Sequence, residues 1–474
     1  MAKMKRLVNF GLPVSVCNMR CPYCYVSQVG WNTNDIGHLD YPPEHIQRCL
    51  TKERLGGVCH INMCGSGETL LAPYTVELVQ RMLENGHYVT IVTNGTIRDR
   101  LRELCAFQET YKERVFIKFS MHYLELKRKN LMGDFFENIR FVKANHCAFT
   151  VELGAADEYV PYIEEILTIC QKEIGACPHM IELRRQDDLE AYSRLTKLPL
   201  VEHQNAYHAL HTNMFDFQQK HWGEKRCEFC YAGDWVMQLA AGSGWFQPCF
   251  IGGIPVQNIY ENPDEPIRFA AIGENCPWHH CYSSYILLTS GVVPSLKTPC
   301  YAEFRDCVDA AGDHWLTPKV AEFFSSKFIE SNEEYSEAKK MYINALMALE
   351  YQNRCRSYQP EKVGRVVAGA LKNKGIKKVG IWGACMYTDW LVDLLLGTAI
   401  QIKYIVDDEM QSAKSDRGKQ RHLFRSQLPA LLNSSDRLPQ VDAMIITDYP
   451  RFNSIKAKIP PVYSQLLSLT ELVD

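Results

Sequence analysis

No stretch of these 474 residues stays apolar for the ~20 positions a membrane-spanning helix requires, and the opening run from Met1 to Arg6 has no apolar core of the kind a secretion signal carries. No membrane partner is expected, and a cytoplasmic location is. Charge of one sign is lacking too. Lys and Arg total 52 against 55 Asp and Glu, a net charge of -3. That balance creates no field to attract a polyanion, so nucleic acid is not an expected partner. Nor is the composition biased, since 46% hydrophobic and 23% charged residues describe an ordinary folded globular chain. The length exceeds what one core usually serves and points to two or three domains. What the chain has in quantity is cysteine. Nineteen of them without a secretion signal read as metal ligands and reduced thiols rather than disulfides. Cys49, Cys59, Cys105, Cys147 and Cys170 stand alone in apolar surroundings and are expected to fill core.

The stretch around which the rest is arranged is Cys17-Asn18-Met19-Arg20-Cys21-Pro22-Tyr23-Cys24. Three thiols in a C-x3-C-x2-C spacing, with Pro22 among them, read as one tight loop that converges on a single inorganic centre. A cube of four irons and four sulfides takes four thiolates, and the loop supplies three, leaving one iron open for chemistry. A zinc knuckle is the alternative, but it closes its tetrahedron with four ligands, and no fourth lies nearby.

Around that loop the first half alternates. Strands are predicted at 7–16, 58–63, 88–92, 115–119, 149–153 and 180–183, with helices at 43–55, 74–84, 97–105, 135–144 and 162–170 between them. Such alternation demands a parallel sheet with right-handed crossovers, and a partial (β/α)6 TIM-like barrel is its natural closure. Chemistry in such barrels sits at the C-terminal strand ends. The unusual polar residues fall there: Cys17 to Cys24 after the first strand, Gly65 to Thr69 after the second, Thr93-Asn94-Gly95 after the third, Ser120 and His122 after the fourth. Glu152, Arg184 and Arg185 follow the fifth and sixth, and read equally well as ordinary surface charges.

The three cysteines, with the aromatic Tyr23 just before the last, resemble the signature of the radical S-adenosylmethionine (radical SAM) superfamily. The resemblance implies a [4Fe-4S] cluster on Cys17, Cys21 and Cys24. It implies that the open iron chelates SAM, whose reductive cleavage yields a 5'-deoxyadenosyl radical that abstracts hydrogen. Ser66-Gly67-Glu68-Thr69 resembles that family's Gly-Gly-Glu-Pro loop, with Ser and Thr replacing the first Gly and the Pro. Gly67 would allow close backbone approach to the methionine part of SAM, and Glu68 would pair with its ammonium. Asn94 and Ser120 are implied contacts to the ribose and carboxylate; as plain sequence, Thr93-Asn94-Gly95 also makes a turn. His122 reads as a SAM contact, a substrate-side acid or base, or a structural histidine.

From Lys220 cysteine, tryptophan, glycine and proline become dense. Cys230, a hairpin through Trp235 to Leu239, and Gly244 to Cys249 resemble the first half of the SPASM/twitch extension of radical SAM enzymes. A hairpin brings its ends together and can aim two thiolates at one cluster. Cys276 and Cys281 would complete four ligands. The compact C-x2-C-x5-C-x3-C run of a full SPASM domain is absent, so one auxiliary [4Fe-4S] cluster is the expectation. Cys227, Cys300 and Cys307 are close in sequence, and a zinc site of Cys227, Cys230, Cys276 and Cys281, with His279 and His280 at hand, remains the alternative.

Residues 316–355 are predicted as a helical linker, with Phe323, Phe324 and Phe328 forming a packing face. Beyond it, strand 378–384, a helix bearing Trp390, Leu391, Leu394 and Leu395, strand 400–406 ending at Asp407-Asp408, and strand 441–447 ending at Asp448 follow the order of a Rossmann-like unit. Its glycine fingerprint is incomplete, because Gly380 lies inside the strand. The expected organisation is α/β throughout: a barrel at 1–215, a cysteine-rich auxiliary domain at 216–315, the linker, and a Rossmann-like domain at 356–474.

The function expected from the resemblance is oxidation or bond formation on a peptide or a sugar-like small molecule, with flavodoxin or ferredoxin as electron donor. No peptide-leader-binding domain is evident before Cys17. The rival from another class is an iron–sulfur electron carrier or a zinc-stapled interaction protein. A carrier needs no Gly67-Glu68 loop and normally completes its cluster with four cysteines.

Overall fold

The computed structural model describes residues 2–30, 33, 35–186, 193–210, 213–249, 257–274, 276, 280–281, 284–350, 360–383, 386–395, 397–406, 431–432, 438–447, 459, 465–468 and 472. The chain divides into two compact bodies. The first comprises Met1–Arg226, Cys230–Ala271 and Trp278–Glu333; the second comprises Cys227–Phe229, Ile272–Pro277 and Glu334–Asp474. Among the described residues no helix is long and apolar enough to cross a membrane.

The first body is built on one sheet of nine strands in the order β6-β5-β4-β3-β2-β1-β7-β8-β9. Six come from the alternating half: β1 (Arg6–Leu12), β2 (Cys59–Gly65), β3 (Tyr88–Thr93), β4 (Val115–Ser120), β5 (Ala148–Gly154) and β6 (His179–Ile181). All pair in parallel. The intervening helices include Thr75–Glu84, Arg98–Cys105, Met132–Ala144 and Ile163–Ile174. This is the parallel sheet the periodicity predicts, consistent with a partial barrel, and β6 and β9 are its edges. The predicted helix 43–55 is broken into Pro43–Cys49 and Lys52–Leu55, because Thr51 turns the chain and caps the second piece by accepting from Arg54 N.

Strand register sorts the side chains into two faces. On the outer face Ile61, Ile91, Ile117 and Val151 are buried in one apolar core with Leu78, Met82, Ile139 and Ile166 of the helices. Cys49, Cys59, Cys105, Cys147 and Cys170 are all buried there, as core filler should be. The inner face is polar. Asn9 lies opposite Asn62, which lies opposite Thr90; Lys118 lies opposite Thr150, and Ser120 opposite Glu152.

Phe323 and Phe324, on the helix Pro318–Ser325, close the N-terminal end of this lumen. Phe323 stacks on Tyr88 at 3.8 Å, and Phe324 meets His60 at 4.8 Å and Phe116 at 5.2 Å between ring centroids. The aromatic face read in a linker is therefore the barrel's floor. The hairpin β7 (Val236–Ala240) and β8 (Trp245–Gln247) continues the same sheet, with β7 parallel to β1 and β9 (Gln257–Asn258) beyond β8. Arg6 fixes this junction through Asp234, donating from Nη2 to Oδ1 at 2.8 Å and from Nε to the main-chain carbonyl at 2.7 Å.

The second body has a five-stranded parallel sheet, β12-β11-β10-β13-β14. Its strands are β10 (Lys378–Trp382), β11 (Gln401–Val406), β12 (Leu431–Leu432), β13 (Ala443–Ile446) and β14 (Leu466–Ser468). The chain starts in the middle, moves outward through β11 and β12, then reverses to the other side of β10, and such a reversal is where doubly wound sheets bind ligands. Gly380 sits inside β10 because a Cβ there would lie 2.7 Å from the Tyr404 ring. Leu391, Leu394 and Leu395 of the helix Met386–Leu395 are buried. Ala384, Asp407, Asp408 and Asp448, the turn and acids of the sequence reading, lie outside the described residues.

Candidate active site

The thiol loop leaves β1 and is held by its neighbours before any cofactor is considered. Asn18 Nδ2 donates to Thr96 Oγ1 at 2.8 Å, and Asn94 Nδ2 donates to Asn18 Oδ1 at 2.7 Å. Arg20 N donates to Glu125 Oε2 at 3.0 Å. Cys24 N closes a turn onto the Cys21 carbonyl at 3.2 Å, and Cys24 caps the short helix Tyr25–Gln28. Cys17 and Cys24 are half-buried and Cys21 is buried. Burial pushes the Cys17 thiol up, and it pushes Cys21 up to about 12, with the charges of Cys24, Glu125 and Cys17 adding. Thiols so placed give up protons only against a cation, and an iron–sulfur cluster supplies one. Among the described residues no three His, Cys, Asp or Glu side chains are set to hold a single metal ion. A four-iron cube spreads its thiolates wider than one ion does, so that observation bears on zinc and not on a cluster.

The second loop is pressed onto the first, backbone to backbone. Gly67 N donates to the Val14 carbonyl and Glu68 N to the Val16 carbonyl, both at 2.8 Å. A Cβ on Gly67 would lie 2.0 Å from the Val16 oxygen, so no other residue fits there without moving the chain. Glu68 is buried, and its carboxylate already accepts from Leu70 N at 3.0 Å, Thr93 Oγ1 at 2.6 Å and Asn94 N at 2.7 Å. Burial raises its pKa, and those donors oppose the rise. Glu68 thus ties the β2 loop to the β3 loop. Asn94 faces the thiol loop, with Nδ2 3.9 Å from Cys17 Sγ.

On the other flank the Tyr23 hydroxyl lies between His122 Nδ1, 2.8 Å away, and the Tyr159 hydroxyl, 2.5 Å away. Burial pushes His122 down to about 4, so its ring is neutral at pH 7. Beside Tyr23 a cleft of about 720 Å³ is lined by Pro22, Tyr23, Gln28, Ala156, Asp157 and Lys197. Its volume lies in the range of small-molecule sites, ~300–1,000 Å³. Ser120 is half-buried at the end of β4, opposite Glu152.

Glu152 is no surface charge. It is 3% exposed and pairs with Lys118 Nζ at 2.9 Å and with Arg305 Nη1. Sequence reading had a signal for Lys118, a lysine between Ile117 and Phe119 in a strand of β-formers, and none for Arg305. Arg184 is half-buried and Arg185 exposed. Of the expected auxiliary ligands, Cys230, Cys249 and Cys281 belong to the first body and Cys276 to the second, and all four are half-buried. His279 lies outside the described residues.

Residues 12–143 match the Radical SAM superfamily. No curated protein matches the sequence. Among solved structures, Streptococcus suis SuiB bound to precursor peptide SuiA shares 14% identity at a TM-score of 0.38, over 56% of this chain and 64% of that one. Native anSMEcpe with bound AdoMet and Cp18Cys peptide shares 14% at 0.38, over 55% and 79%. BtrN in complex with AdoMet and 2-DOIA shares 16% at 0.29, over 55% and 84%. The chain spans less than two thirds of the length of SuiB.

Proposed function

We propose that the chain is a radical SAM enzyme that binds a [4Fe-4S] cluster on Cys17, Cys21 and Cys24 and acts on a substrate held in the barrel lumen. The observation that carries this reading is the Gly67-Glu68 loop clamped onto the backbone leading to the three thiols, at the C-terminal mouth and beside the cleft. When bound, the cluster with SAM supplies reductive C–S cleavage and a radical able to take a hydrogen atom from an unactivated carbon. The chain's part is to position and to exclude water. Gly67 keeps the β2 loop flat enough for close approach. Glu68 braces the β3 loop and so orients Asn94, which together with Ser120 is proposed to contact SAM. Tyr23, held by His122 and Tyr159, fixes the wall of the cleft.

Oxidation or bond formation is the proposed reaction class, on a peptide or a sugar-like molecule, with a flavodoxin or ferredoxin as donor. Support for an auxiliary cluster is the hairpin between Cys230 and Cys249, which lies on the barrel sheet of the first body. The rival electron-carrier reading leaves the Gly67-Glu68 clamp without a purpose. Anaerobic reconstitution followed by dithionite and SAM should release 5'-deoxyadenosine, and Cys24→Ala should abolish it. Iron and zinc analysis of the same preparations reads the second site, and zinc there with no second cluster removes the auxiliary proposal.

A further inference from the structure

Among the described residues, two cations in the barrel lumen meet one carboxylate. Lys118 and Arg305 both face the single carboxylate of Glu152, so one positive charge is left over. Arg305 is fully buried, and among the described residues its Nε and Nη2 have no hydrogen-bond partner. The rings of Tyr301 and Tyr285 lie 4.9 and 5.3 Å from its guanidinium carbon. They favour a cation near their faces but do not satisfy its remaining N–H groups. Among the described residues Asn9 Nδ2, His60 Nδ1, Thr150 Oγ1 and Gln238 Oε1 are also buried and without a hydrogen-bond partner. Buried charges and donors are costly unless paired, so an unpaired fork of this kind is best explained by a ligand that completes it.

Position decides which ligand. Lys118 lies two residues before Ser120 on β4, and its Nζ reaches up to Glu152, which is paired with Ser120 at the strand end. The Lys118 side chain is 12% exposed, and Phe324 closes the N-terminal end of the lumen. Lys118 and Glu152 stand on β4 and β5, away from the thiol loop after β1 and the Gly67-Glu68 loop after β2, so a ligand held by them is assigned as substrate, and competition with SAM is the outcome that would refute it. We infer that the substrate carries a carboxylate that docks on the free edge of Arg305 and on Lys118 in the barrel lumen. A planar carboxylate matches the guanidinium fork, and one negative charge restores neutrality where a phosphate dianion would overshoot. The inference rests on the proposed radical SAM reading for calling that ligand a substrate.

The test uses the full chain with 4-bromobenzoate as probe, whose aryl bromide does not alkylate thiols. In soaked crystals the bromine's anomalous signal should fall in the lumen, with the carboxylate on Arg305 Nη2 and Lys118 Nζ. In solution the probe should raise the unfolding temperature saturably, beyond the effect of sodium chloride at equal ionic strength. Lys118→Met leaves Glu152 and Arg305 as a balanced pair and should fold; Arg305→Lys keeps the charge but loses the fork. Each should weaken the probe about tenfold. Bromine bound elsewhere or nowhere, affinity unchanged in both variants, or competition between probe and SAM would each overturn the inference. Release of 5'-deoxyadenosine by the wild-type chain is read separately. Its absence sinks the radical reading while the bromine position still stands, and its presence without lumen binding sinks only the carboxylate site.

Discussion

Replacing Glu152 by glutamine tests the charge arrangement in the barrel directly. The side chain is 3% exposed, with Lys118 Nζ 2.9 Å from one oxygen and Arg305 Nη1 on the other. Burial alone would raise its pKa, yet Arg305 and Lys118 together hold the carboxyl down at about 2. Against an ordinary glutamate near ~4.3, that depression corresponds to ~3 kcal/mol of folding stability at neutral pH. Removing one partner of a buried ion pair typically costs ~3–5 kcal/mol, so two independent routes give the same size. The sign follows from the depressed value. The contribution is fully present above pH ~4.3 and is lost as pH falls toward 2, because the unfolded chain takes up the proton first. Urea unfolding at pH 7, followed by circular dichroism, should show Glu152→Gln weaker by ~3 kcal/mol or more, and the gap should narrow as pH drops below 4.3. The double variant Lys118→Met/Glu152→Gln should recover part of the loss, since one uncompensated cation is gone. A single variant within ~0.5 kcal/mol of wild type would refute the reasoning, because surface carboxylates behave that way and buried paired ones do not.

Gly67→Ala forces a methyl against main-chain atoms of Ser15 and Val16 that cannot swing aside. It should cost ~1–3 kcal/mol by urea unfolding and lower the iron retained per chain after reconstitution. His60 is fully buried beside Thr90, and burial, with Arg305 and Lys118 adding, pushes it down to about 3. The unfolded chain therefore binds one more proton than the folded one between pH ~6.5 and 3, and stability rises with pH across that window. Stability measured at several pH values should show a slope shallower by ~1.4 kcal/mol per unit in His60→Gln, and an unchanged slope would mean that the histidine is protonated in the fold.

Local chemistry was enough to place the thiol loop. Cys17, Cys21 and Cys24 fall within eight residues, and only a turn is needed to bring them together. The strands were legible for the same reason, since alternation along five to seven residues is a property of the segment itself. Gly67 could be marked as a close-approach residue, but which backbone it approaches, that of Val16, emerged only from the fold. Glu152 misled because a lone acid at a strand end looks the same in sequence whether it meets water or two cations.

By itself, then, the sequence determined an alternating β/α half and a three-thiol loop at the mouth of its first strand, because hydrophobic period and cysteine spacing act over a few residues. Tertiary structure alone decided that Val236–Ala240 joins the barrel beside Arg6–Leu12, that Phe323 and Phe324 close its floor, and that Arg305 reaches Glu152 across 153 positions of chain. Those pairings are set by sheet register and by where buried charge finds its partner, and both depend on the whole body being assembled.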